Sequence, residues 1–302
     1  MDLVSFLSSV LAPLGISATA AWWLSKTLIT HRLEQERIRF QQLQQAEIRK
    51  EVEAHLADLT ADREYELEAR KRLYLAIGPL RVQLLLACRD LCARITQHGT
   101  REQCSTDIEQ YYGRSVLYRL LRPLALGELA ERQISYADFS VDPAAIELLK
   151  FKRAAFSAFT GRTPIRDHPR AIWSKQIEHV YFDNLSRAAN ALIIPEAHDK
   201  VRVMRFDEFE NFLRERENLW QIAPFPRLLQ DFQIQTKPIL WTRLVCYGYI
   251  CNDYLNVRGP SIGFAKRKYP VGELLTMVND PFLQSHAMSM ESTFREMIDY
   301  GI

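Results

Sequence analysis

No glycine or proline interrupts the chain from residue 27 to residue 72, and no ionisable side chain occurs from residue 3 to residue 25. The first absence excludes tight turns over nearly fifty positions, because the residues that make turns without strain are missing. The second leaves an uncharged run long enough for a membrane, since roughly 20 helical residues span a hydrocarbon core of about 30 Å. Basic and acidic side chains nearly balance. A formal net charge of +2 offers no footing for nucleic acid. The five cysteines, Cys88, Cys92, Cys104, Cys246 and Cys251, are odd in number and form no paired framework, which suits a reducing compartment. No GxxxxGK[ST] loop, GxGxxG, HExxH or DxDxDG sequence occurs, so the commonest nucleotide and metal signatures are absent. No cofactor and no metal set is expected.

What is present begins with that uncharged run. Residues 3–25, LVSFLSSVLAPLGISATAAWWLS, predict a single membrane-spanning helix, diluted by Ser5, Ser8, Ser9, Ser17 and Thr19 and kinked or tilted near Pro13. Trp22 and Trp23 suit the headgroup layer, and Lys26, His31, Arg32, Arg37 and Arg39 follow on that side only. This predicts an inner-membrane protein with a short N-terminus outside and a large cytoplasmic C-terminal part. A cleaved signal peptide is the rival reading, since Ala18, Thr19 and Ala20 resemble a cleavage site, but its positive n-region is missing.

Residues 27–72 are rich in Glu, Gln, Arg, Lys, Ala and Leu, the best helix formers. Apolar residues at Leu33, Phe40, Leu43, Ile48, Val52, Leu56 and Leu59 follow gaps that keep a stripe in line, with a register shift near Ile48. Such a helix is too polar for a core, and its stripe predicts a stalk that pairs with copies of itself, the alternatives being a helix folded back along the C-terminal domain or a solvated, charge-laced single helix.

The remainder predicts an all-α domain. A helix break is expected at Gly78-Pro79, then a core helix through Leu84, Leu85, Leu86, Cys88, Leu91 and Cys92. Thr106 with Glu109 would cap a helix running to a stop or kink at Pro123; Asp142-Pro143 and Gly161 bracket another. Residues 171–193 read as one long helix, residues 200–206 as a strand without a partner, and Asp207 with Glu210 as a cap. Thr236-Lys237-Pro238 and Asp280-Pro281 open the last two helices. The organisation expected is an anchor over 1–25, a stalk over 26–77 and a cytoplasmic helical domain over 78–302.

At residues 111–125, YYGRSVLYRLLRPLA, and 136–143, YADFSVDP, the chain resembles a family of uncharacterised bacterial helical proteins. That resemblance implies a bacterial source and carries over no catalytic residue.

For chemistry, His179 and Asp183 stand four apart with Glu178 beside His179, a spacing that on one helix would offer two ligands to a metal, with no second ligand pair following, or orient an imidazole by a carboxylate. Two basic groups could meet anionic lipid or a phosphorylated ligand: Arg162, Arg166, His168, Arg170 and Lys175, and Lys266, Arg267 and Lys268. Trp22, Trp23 and Lys26 are the candidate membrane-interface residues. Three functions fit: a membrane-anchored scaffold that self-associates and holds an unidentified protein partner, a membrane effector whose oligomerised spans disturb the bilayer, and an enzyme built around His179.

Overall fold

The computed structural model describes residues 3–100, 104–135, 143–172, 178–196 and 200–299, with backbone only at 3–21 and 143–144. Helix dominates the described residues and strands are few, so the class is all-α. Two compact units are present, residues 1–67 and residues 68–302.

The first unit consists of helix alone, the N-terminal part of α1 (Leu3–Thr100). The span expected over residues 3–25 falls mainly on residues 3–21, whose side chains lie outside the described part of the structure. Among the described residues, no helix is long and apolar enough to cross a membrane.

The second unit takes in the C-terminal part of α1, where α1 runs on through Gly78-Pro79 without the expected break. Proline there removes one backbone donor and opposes the helix by about 3 kcal/mol. Opposing it, Leu73, Ile77, Leu80, Leu84, Cys88 and Leu91 are all buried on one face. Each buried leucine or isoleucine is worth about 1.5–3 kcal/mol, so packing wins.

The other helices are α2 (Tyr111–Ile134), α3 (Pro143–Thr160), α4 (Phe182–Asn190), α5 (Phe206–Arg214), α6 (Phe225–Leu229), α7 (Pro238–Arg258), α8 (Val271–Thr276) and α9 (Pro281–Asp299). The core is organised around α7. Every residue from Pro238 to Asn252 is buried, as expected for a helix apolar on all sides. Gly248 marks its closest approach to a neighbour: a Cβ there would lie 2.1 Å from the Tyr269 hydroxyl oxygen. From α1, the Cys92 thiol donates to the Gly248 carbonyl at 3.3 Å.

The bracketing signals at Pro143 and Gly161, at Pro238 and at Asp280-Pro281 mark real helix ends. Asp280 Oδ1 accepts from the N–H groups of Phe282 and Leu283 at 3.0 and 3.1 Å, a side-chain cap on α9. Helix α2 continues through the buried Pro123, so the chain does not stop there. Two expectations differ. Thr106 is buried and donates to the Leu229 carbonyl at 2.6 Å instead of capping α2. At α5, Glu208 rather than Glu210 reaches back, accepting from the Arg205 N–H at 2.8 Å.

The long helix expected over residues 171–193 is replaced by the short α4. The reason lies in the neighbours: Val180 donates its N–H to Phe159 at the end of α3, and Glu178 accepts from Leu240 N–H at the start of α7. Backbone groups satisfied elsewhere have no need of a helix. The freed residues supply the missing strand partner. β1 (Ile193–Pro195) pairs antiparallel with β2 (Val201–Val203), Ile193 opposite Val203.

Candidate functional site

His179 and Asp183 do not share a helix. His179 lies before α4 and is buried, whereas Asp183 is exposed in the first turn of α4. What surrounds His179 is a helix-end clamp. Arg243, fully buried on α7, donates from Nη1 to the carbonyls of Ala158 at 2.7 Å and Gly161 at 3.0 Å. A cation at the end of α3 complements the helix dipole, as Glu178 does at the start of α7. Burial lowers Arg243 from its ordinary range to about 10, and burial with the Arg243 charge also lowers His179. This environment holds the imidazole neutral and ties three segments together.

The first basic group is divided by the fold. Arg162, Arg166 and Arg170 are exposed, but His168 is buried, its Nε2 3.3 Å from Asp280 Oδ1. The His168 Nδ1 accepts from the Arg170 N–H at 3.1 Å, so the proton on this ring belongs on Nε2, facing the α9 cap. Lys175 lies outside the described residues. The second group, Lys266, Arg267 and Lys268, is exposed on a loop whose Arg267 backbone is held by Asn252 and Asn256. The two groups anchor to opposite ends of α7, one through Arg243 and the other through Asn256. Thirteen helical residues separate those anchors by about 20 Å along α7.

The stretch Gly259-Pro260-Ser261-Ile262-Gly263 fits the GxSxG pattern of hydrolase nucleophiles. Its context is wrong for that chemistry. It forms a 3₁₀ turn after α7 rather than a strand-to-helix elbow, and the Ser261 hydroxyl donates to the Arg258 carbonyl at 2.7 Å. No group of three His, Cys, Asp or Glu side chains among the described residues could hold a metal ion. All five cysteines are free, and burial raises the Cys92, Cys246 and Cys251 thiols above their usual range.

No known protein family, curated protein or solved structure matches this chain.

The most distinctive surface is therefore on α1. Trp22, Ile29, Leu33, Phe40 and Leu43 follow gaps of seven, four, seven and three, a heptad seam, and Ile48, Val52, Leu56 and Leu59 form a second stripe after the register shift. From Leu33 to Leu59 these seam residues are between 52% and 69% exposed. Trp22 and Trp23 are exposed as well, and the Lys26 ammonium sits 5.1 Å over the Trp22 ring.

Proposed function

We propose that this protein is a membrane-anchored, self-associating helical scaffold: residues 3–25 insert in the inner membrane, the following part of α1 pairs with copies of itself, and residues 68–302 are displayed in the cytoplasm to a protein partner. The exposed apolar seam from Leu33 to Leu59 carries this reading. Covering each of these side chains in a coiled coil is worth on the order of 1 kcal/mol or more, and a shared membrane raises the effective concentration that drives pairing. The same anchoring requires parallel helices, so each seam residue meets its own counterpart.

Full-length protein in detergent tests this. Light scattering should give a defined oligomer, Phe40→Glu with Leu43→Glu should reduce it to a monomer, and Leu43→Cys should cross-link to itself. A monomeric wild-type protein, or an oligomer indifferent to both glutamates, refutes the scaffold.

A further inference from the structure

A second feature, independent of the seam, lies between α1 and α2. Ser115 is buried, and its hydroxyl oxygen is approached by two guanidiniums: Arg94 Nη2 from α1 at 3.2 Å and Arg119 Nη1 from the next turn of α2. Two cations thus share one neutral acceptor. Among the described residues, no carboxylate lies within ion-pair distance of Arg94 or Arg119. The nearby Asp90 is held by Arg89 at 2.8 Å and lies 3.9 Å from Arg122. Glu208, on α5, is engaged by both terminal nitrogens of Arg202, at 2.7 and 2.6 Å.

Arg119 and Arg122 therefore line a cleft of about 140 Å³ beside Asp90, and Arg94 reaches its Ser115 wall. Its walls include Asp90, Ser115, Tyr118, Arg119, Arg122 and Phe206. Tyr111, exposed at the rim, meets the Phe206 ring edge-on at 5.8 Å, giving the mouth an apolar lip. Arg94 is steadied by lying 4.8 Å over the Tyr112 ring, and Arg122 lies 5.9 Å over that of Tyr118. Burial, and next the charge of Arg94, lower the proton affinity of Arg119. Like charges held together at a partly dry surface repel, and a multivalent anion between them reverses the sign of that interaction.

We propose that this cleft binds a phosphate group, with Arg94 and Arg119 donating charge-assisted hydrogen bonds to its oxygens and Arg122 adding charge from α2. Planar guanidiniums match phosphate oxygens in pairs, which a scattered lysine surface does not. Phe206 and Tyr111 beside the charged wall give the group that carries the phosphate an apolar surface to pack on.

Calorimetric titration of the full-length protein in detergent at low salt tests this with inorganic phosphate, pyrophosphate, ATP and vesicles containing phosphatidic acid. The expected result is saturable binding of at least one probe, weakened roughly 10-fold or more by either Arg94→Gln or Arg119→Gln, since one charge-assisted hydrogen bond is worth about 1.5–3 kcal/mol. Arg153→Gln, on the exposed side of α3, should leave binding unchanged. A soluble probe that binds assigns the site to a small phosphorylated molecule; binding of vesicles alone assigns it to a lipid headgroup. No binding by any probe at 10 mM-scale concentration, or equal loss in all three variants, overturns the proposal. Because a single arginine variant can misfold, near-ultraviolet circular dichroism accompanies each titration, and Arg122→Gln provides a third reading of the same cleft.

Discussion

Protonation of His98 should drain stability from the second unit as pH falls, by an amount the structure sets. His98 is buried near the end of α1, its ring stacked on Phe232 at 5.2 Å, and its Nδ1 lies 3.2 Å from the Tyr112 hydroxyl. Burial, and next the charge of Arg94, lower its pKa from 6.5 to about 4. The unfolded chain takes up the proton at 6.5 and the folded chain only near 4, so the contribution is complete above 6.5 and lost between these values. Each tenfold difference in proton affinity corresponds to about 1.4 kcal/mol, which makes the loss about 3 kcal/mol below pH 4. Carboxylates also titrate over part of that range, so the measurement is a difference: urea denaturation of wild type and His98→Gln at several pH values, followed by near-ultraviolet circular dichroism. The wild type should lose about 3 kcal/mol more than the variant between pH 7 and pH 4. Parallel pH profiles for the two proteins would refute the assignment of a neutral, poorly protonated His98.

Two further substitutions probe the packing that builds the second unit. Gly248→Ala places a methyl 2.1 Å from the Tyr269 oxygen and should destabilise by about 1–3 kcal/mol through overpacking, with part of the loss recovered by Tyr269→Phe in a double-mutant comparison of urea midpoints. Asp280→Ala removes the α9 cap and the acceptor facing buried His168. The cost should be about 2–3 kcal/mol in the same assay, and Asp280→Asn, which keeps an acceptor oxygen, should recover about half of it.

The sequence determined the helical class and several helix ends because those signals are local. Proline cannot donate a backbone hydrogen bond but fits a helix start, and Pro143, Pro238 and Pro281 all begin helices. The absence of turn residues over 27–72 likewise required one uninterrupted helix, and the spacing from Leu33 to Leu59 required an apolar stripe upon it. Long-range packing settled the rest. Gly78-Pro79 and Pro123 are strong local stop signals, but the burial of the residues around them outweighs a missing hydrogen bond. His179 and Asp183 have helical spacing, but Phe159, Leu240 and Arg243 draw the intervening chain into another arrangement. The arginine cleft was likewise hidden: Arg119 and Arg122 read as the polar side of α2, and Arg94 lies on another helix more than twenty positions earlier. Their shared charge becomes visible only once packing brings α1 beside α2 and places two guanidiniums at one serine hydroxyl.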